Sequence, residues 1–350
     1  MIDFLSITID IPHEPFGSKR IKQPEDGEVK TKQFTKTLRI NKVPFWVTSL
    51  NSGTQINIRC CPLKLFQGHN VFGSNSLKML WTMLIDEVLA QLGIKTSAAK
   101  LRKWHMGEFQ IDEIHLTHRF PVEKYSMIRK AIHHILKYSS MSLRPSLLRK
   151  GVGVTLRAPH GLADWLFYDK HLEFGDKRTK EQKYLQAVAG ERAEAAKNRL
   201  LKTSSKSIRA ELKLGKKYLD LAEHMLNRGK HWSVNKVIEV FMRELGLLQL
   251  GQIPALTQLP EIYYQIDDPK LRATLILWGA GEDLPDHYGQ TKLQAHRREI
   301  QAKLGIDILQ DEPMLEPASI NLSDIFDSTN MLAGFPKWVR KYPTLAFSKG

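Results

Sequence analysis

The chain has 350 residues, 42% of them hydrophobic and 25% charged, which excludes a disordered protein and leaves room for two domains at roughly 100–200 residues each. No apolar run approaches the roughly 18 residues needed to cross a bilayer, and the MIDFLSITIDI start carries an acid and no basic lead-in, so neither a membrane nor a secreted protein is expected. The 52 Lys and Arg outnumber the 37 Asp and Glu for a net charge of +15, and residues 141–230 alone hold 20 against 10. Basicity concentrated in this way fits a polyanionic partner, most often nucleic acid.

The first sixty residues alternate apolar and polar side chains in short segments around residues 4–9, 38–40 and 45–47, and 54–61 (TQINIRCC) reads as a further strand closed by Pro62. Cys60 and Cys61 are the only cysteines, and adjacent; a disulfide between neighbours is strained and two thiols cannot build a zinc site, so reduced thiols are expected. Residues 67–73 (QGHNVFG) are too glycine-rich for a helix. Ser76 caps a predicted helix to Leu92, with Leu77, Leu80, Trp81, Leu84 and Val88 on one stripe and Gly93 ending it. Residues 108–118 alternate as a strand. Pro121 then opens a predicted helix with Val122, Tyr125, Ile128, Ile132 and Ile135 inward. Strands are expected at 151–157 and 163–174, the second with a helical end, then a long exposed basic helix over 177–202 and a strand at 207–214. Beyond Gly215 the pattern is helical, with helices from Ser233, over 269–278 and over 289–304, and an irregular tail beyond Leu309. The order defines an α+β fold, an antiparallel sheet with flanking helices followed by a helical C-terminal region. The division is expected between residues 1–220 and 221–350.

Several residues can carry chemistry. Tyr168 and Lys170 lie two apart, on one face if both are in a strand. A phenol with a pKa of about 10 needs help to lose its proton, and a nearby ammonium stabilises both the phenolate and the charge growing on a phosphate under attack. The strand 207–214 sets Arg209, Glu211 and Lys213 opposite four apolar residues, so its polar face is either solvated or lines a site. With Asp112 and Glu173, Glu211 completes a set of carboxylates which, if they converged, would suit a hard cation such as Mg²⁺; ion pairing of Glu211 with Arg209 or Lys213 is the simpler alternative. His115 and His118, three apart on a strand, point to opposite faces, which disfavours a zinc centre.

These residues resemble the signature of the filamentous-phage replication initiation proteins, the gene II and gene X family. Residues 62–73 (PLKLFQGHNVFG) are similar to that family's P-x-K-x-x-Q-G-H-N-V-F-G run ahead of an amphipathic helix. Residues 109–115 (FQIDEIH) resemble its I-x-R-I-D strand, with Gln110 where arginine is usual. Residues 167–173 (FYDKHLE) resemble its Y-x-K-H-x-E segment, and 209–213 (RAELK) its R-x-E-x-R/K strand. Residues 277–284 and 295–308 are similar to its C-terminal region, so the likeness touches roughly residues 50–310 in blocks.

The resemblance implies a rolling-circle nickase fold and an initiator that nicks one strand of the replicative-form DNA at the phage origin. Tyr168 would become linked to the 5′ end, and the same protein would rejoin the strand later. It implies Lys170 beside the phenolate and Mg²⁺ or Mn²⁺ held by Asp112, Glu211, Glu173 and His69. It also implies work with a host helicase and polymerase in the bacterial cytoplasm, as a monomer or as an oligomer on DNA. DNA contacts are expected from Arg209, Lys213, Arg297 and Arg298, the last two on a helix whose charged face has a solvated alternative. Tyr125, Tyr138, Tyr184 and Tyr218 compete for the nucleophile's role; Tyr125 is expected in the core and Tyr218 is the second choice. The competing functions are a non-catalytic DNA-binding regulator and a tyrosine recombinase.

Overall fold

A computed structural model describes residues 1–22, 31–139, 141–148, 152–176, 179–221, 225–250, 261–279, 281–311, 321–332 and 334–346. One antiparallel sheet organises the chain. Its strands are β1 (Ile2–Asp10), β2 (Ser18–Lys22), β3 (Thr31–Ile40), β4 (Val43–Leu50), β5 (Gln55–Cys60), β6 (Gln110–Pro121), β7 (Ser146–Leu147), β8 (Gly153–Arg157), β9 (Ala163–Tyr168) and β10 (Ser207–Gly215). They run in the order β2-β3-β4-β5-β1-β6-β10-β9-β8-β7. The expected α+β class is what the chain adopts.

Alternation divides the sheet into two faces. Ile7, Ile58, Ile111, Leu116, Ile208, Leu212, Trp165 and Phe167 are buried on one side and form the main core. That core includes the apolar stripes of α2 (Leu77–Leu92) and α4 (Ser126–Tyr138). Ser76 caps α2 through its side chain, 3.4 Å from the Met79 amide, as its sequence predicts. The opposite face is polar. The pairings Tyr168↔Arg209, Arg209↔Arg119, Glu211↔Thr117 and Lys213↔His115 set these side chains beside one another on it. His118 turns to the core face, its ring 4.6 Å from Phe241, while His115 faces the polar side.

Local departures from the sequence reading have plain causes. Residues 163–174 are not one strand: β9 stops at Tyr168, and Asp169 caps α5 (Lys170–Gly175) by accepting from the amides of His171 and Leu172. Pro121 ends β6 rather than opening a helix, and α4 begins at Ser126. Short helices beyond those expected include α1 (Pro62–Gln67) and α3 (Ala98–His105). The basic segment breaks at Gly190 into α6 (Glu181–Ala189) and α7 (Ala193–Ser204). Its Leu185, Ala193, Ala196 and Leu200 are buried in a second apolar cluster with Phe72, Phe174, Val339 and Leu345.

After α8 (Lys216–Leu219), α9 (Val234–Leu247) sends Val237, Val240, Phe241 and Leu245 into the main core. The helices α10 (Pro269–Gly279), α11 (Leu284–His287) and α12 (Gln290–Leu304) form a third cluster with Tyr263 and Ile308. The chain then returns: α13 (Leu322–Ile325) packs on the main core with Met331, and Trp338, Val339, Tyr342 and Leu345 join the second cluster. The Leu332 amide donates to the Arg119 carbonyl at 2.8 Å, extending the β6 edge beyond the reach of β1.

Candidate functional site

The QGHN loop builds the floor of the site. Gly68 turns the chain out of α1 with φ +74°, and a Cβ there would lie 2.8 Å from the Tyr184 carbonyl oxygen, so only glycine fits. The Gln67 amide nitrogen donates to the carbonyls of His69 and Phe72 at 3.1 and 2.5 Å, which closes the loop on itself. Asn70 then donates its side-chain amide to Asp3 at 2.7 Å, and its carbonyl accepts from the Arg209 guanidinium. Arg209 also pairs with Asp3 at 2.8 Å. Burial penalises the Asp3 carboxylate, but Arg209, Lys64, Lys170 and the Asn70 hydrogen bond together outweigh it and hold its pKa well below the usual range.

Tyr168 sits against this assembly. The Arg209 guanidinium carbon lies 5.4 Å from its ring centroid, a cation–π contact between cross-strand neighbours. The ring is 5% exposed. Burial pushes its hydroxyl pKa well above 10; Arg209 opposes that, while Glu173, Glu211 and Asp3 add to it. The phenol is therefore buried among charges, with carboxylates near enough to feel it. On its other side stands Gly153, where a Cβ would come within 2.6 Å of the Tyr168 Cβ.

Lys170, expected to share a strand face with Tyr168, is instead the first residue of α5. It is buried, bonded to Glu173 and 3.1 Å from Glu181. Lys64 reaches the same Glu181 at 2.6 Å. Burial alone would raise the Glu181 pKa; the two ammonium groups outweigh it and bring it down to about 2. The charge of Lys170 is thus committed to carboxylates.

The four expected metal ligands occupy separate settings. Asp112 accepts from Thr8 at 2.6 Å, Gln110 at 2.8 Å and Asn57 at 3.0 Å, and burial lifts its pKa despite those donors. Glu211 is 3.0 Å from His115 Nδ1, and His115 Nε2 is 2.9 Å from Glu113. Burial depresses the His115 pKa, but these two partners raise it overall. Glu173 is held by Lys170. His69 is fully buried; its Nδ1 accepts from the Val71 amide at 3.2 Å, its Nε2 has no partner, and burial lowers its pKa to about 3. Among the described residues, no three His, Cys, Asp or Glu side chains come together as a metal site. The expected set does not fit a metal as folded.

Of the expected DNA contacts, Arg209 is fully buried and spent on Asp3 and Asn70, so it positions Tyr168. Lys213 is partly exposed, 3.9 Å from Glu211. Arg297 pairs with Asp307 at 2.7 Å, and Arg298 is exposed. Among the rival tyrosines, Tyr125 is 41% exposed rather than core and donates to Asp169 at 2.6 Å. Tyr218 is buried, donates to Glu244 at 2.6 Å and accepts from Arg243 at 2.6 Å. Tyr184 is half-buried on α6 and packs against the main core. The Tyr138 side chain lies outside the described residues. Sequence reasoning missed Asp3, Asn70, Lys64, Glu113, Arg119 and Glu181. Asn70 and Lys64 left a signal as polar members of the 62–73 run, and Asp3 one as the acid of the MID start.

The chain's sequence relatives are phage replication proteins. Residues 1–235 match the profile of a family described as the N-terminal region of a phage replication-associated protein. The chain belongs to that family, and it is a phage replication initiator. It is 24% identical over 322 residues to the replication-associated protein of Enterobacteria phage I2-2, the alignment covering 88% of each chain. No solved structure matches it. Among the described residues, no helix is long and apolar enough to cross a membrane.

Proposed function

We propose that the protein nicks one strand of replicative-form phage DNA at the origin and later rejoins it, with Tyr168 as the nucleophile. The observation that carries this reading is the setting of the phenol, at the end of β9 against a buried guanidinium and within the influence of Glu173 and Glu211. The Tyr168 oxygen attacks the scissile phosphorus, and the bond from phosphorus to the 3′ oxygen breaks. The 5′ phosphate stays on the protein, and the departing 3′ oxygen takes up a proton and primes the host polymerase. Exchanging one phosphoester for another conserves the bond, so resealing needs no ATP.

A phenol whose pKa is raised keeps its proton near neutrality, so the reaction needs a base. Glu211 or Glu173 accepts that proton, and Arg209 favours the developing negative charge. Lys170 acts through Glu173 and Glu181, fixing the first turn of α5 behind the nucleophile. Lys213 and Arg298, both reached by solvent, meet phosphates of the bound DNA. We assign the work to the host cytoplasm, alongside a host helicase and polymerase.

With 5% of its surface exposed, the Tyr168 ring must be uncovered before a phosphate reaches it. That burial favours, as a second reading, a DNA-binding regulator without catalysis. Incubating supercoiled origin plasmid and divalent cation with the protein and with Tyr168→Phe separates the two. Open circles carrying protein on the 5′ end with wild type alone support the nickase. No nicking by wild type, or equal nicking by the Phe variant, removes it.

A further inference from the structure

Leu332, Phe335, Pro336 and Trp338 together with the last turn of α7 enclose a groove of about 440 Å³ on the polar side of the sheet. Arg119, Arg199, Lys202 and Lys206 contribute four cations to its lining, and no acidic residue lines it. None of the four has a carboxylate within ion-pair distance among the described residues. Arg199, Lys202 and Lys206 are exposed. Arg119 is only 7% exposed; its guanidinium lies 6.0 Å from the Phe72 ring centroid and donates to the Gly334 carbonyl at 3.5 Å. Burial and the neighbouring Arg209 push its pKa down to about 10, so it stays charged at neutral pH. A desolvated cation without a counter-charge is a costly feature that an anion would relieve.

The same groove presents aromatic surface. Phe335 is 38% exposed, and Trp338 stands half-buried with its indole N–H on Thr203 at 3.1 Å. Both rings meet Phe72 edge-on at 5.7 Å, so the QGHNVFG loop supports them from beneath. Cations along a channel with an exposed aromatic surface are the pattern that binds unpaired nucleotides, phosphates on the cations and bases on the rings. The volume is that of a small-ligand pocket, too narrow to admit a duplex.

The groove is also in register with Tyr168. Tyr168, Arg209 and Arg119 are consecutive cross-strand neighbours on β9, β10 and β6. At about 4.8 Å per strand, Arg119 lies roughly 10 Å from the phenol, one to two nucleotides away. We propose that this groove holds single-stranded DNA, the unpaired segment beside the nick, with a base against Phe335 and Trp338 and its phosphates on Arg119, Arg199 and Lys202. The location of the strand rests on the nickase reading; the binding itself does not.

The test uses the full chain as Tyr168→Phe, so that nothing is cleaved, and anisotropy of a labelled oligothymidylate against a labelled duplex and an oligouridylate. Phe335→Ala, at an exposed ring, should weaken single-strand binding at least fivefold while duplex binding holds. Arg199→Glu with Lys202→Glu, at two exposed positions, should do the same and flatten the salt slope by about 1.4, the value for two lost phosphate contacts on a single strand. Circular dichroism melts establish that both variants fold. Unchanged single-strand affinity, no single-strand affinity in the parent, or equal loss on duplex would overturn the proposal, and tighter binding to oligouridylate would replace DNA with RNA. If wild type never nicks yet the groove variants lose the single strand, the nickase reading falls and the groove stands.

Discussion

Arg209 and Tyr168 face each other across β10 and β9, with the guanidinium carbon 5.4 Å from the ring centroid and Asp3 on the cation's other side at 2.8 Å. The arginine thus has two tasks. It neutralises a buried carboxylate 206 positions away in the chain and it fixes the face of the phenol. Its remaining hydrogen bond goes to the Asn70 carbonyl, so the QGHN loop, the start of β1 and the end of β9 share one charge.

That sharing makes the pair's energetics non-additive. Removing one partner of a buried ion pair leaves the other uncompensated, at a cost of about 3–5 kcal/mol. Arg209→Met and Asp3→Asn should each lose that much in urea denaturation. The double variant should lose clearly less than the sum of the two. Strict additivity would mean that the two side chains are not coupled in the folded protein.

Acid should unfold the protein in two overlapping stages. His69 is buried with its pKa lowered to about 3, so between pH 6.5 and 3 the unfolded chain binds a proton that the native one refuses, and stability falls as pH falls. Glu181, lowered to about 2, gives stability that is complete above its ordinary pKa near 4.5 and drains away as pH drops toward 2. Each proton is worth roughly 1.4 kcal/mol per pH unit. His69→Asn should therefore flatten the slope between pH 5 and 6.5, and Glu181→Gln the slope below 4.5. The measurement is unfolding free energy against pH, and unaltered slopes would contradict these assignments.

How much of this was legible depended on distance along the chain. The alternation of β6 and β10, the α2 cap and the terminal helices were readable because each is a local pattern of hydrophobicity and capping. Tyr168 was marked only by the likeness of residues 167–173 to the family's Y-x-K-H-x-E segment. Lys170 was placed on the wrong element because Asp169, with amides to cap at His171 and Leu172, starts a helix within a run that otherwise looks extended. Asp3 was visible only as an acid in the MID start, since its partner Arg209 lies 206 positions away. The tail was unreadable for the same reason. Phe335 and Trp338 gain a role only where Phe72 and α7 meet them.

Gly153 constrains the position of Tyr168 through space alone. A Cβ at this position would sit 2.6 Å from the Tyr168 Cβ and 2.7 Å from the Phe167 carbonyl oxygen, both held by β9. Gly153→Ala should cost about 1–3 kcal/mol of stability as overpacking. Nicking, if Tyr168 is the nucleophile, should fall far more than binding to the origin. A variant that folds, binds and nicks like wild type would show that the phenol's position is not critical.

The two tyrosines with charged surroundings can be told apart by what they carry after reaction. Tyr218 donates to Glu244 and accepts from Arg243, a setting that also suits a nucleophile, whereas Tyr168 lies on the sheet's polar face beside Arg209 and the basic groove. Trapping the nicked complex, digesting it and sequencing the nucleotide-bearing peptide should yield the Tyr168 peptide on a 5′ phosphate. Tyr218→Phe should keep nicking within a few-fold while losing about 1 kcal/mol, because Glu244 loses one hydrogen bond but keeps His160 at 2.8 Å and Arg243 at 3.3 Å. A label on the Tyr218 peptide would transfer the nucleophile's role to α8. A 3′ phosphate linkage on either residue would instead indicate recombinase-type chemistry.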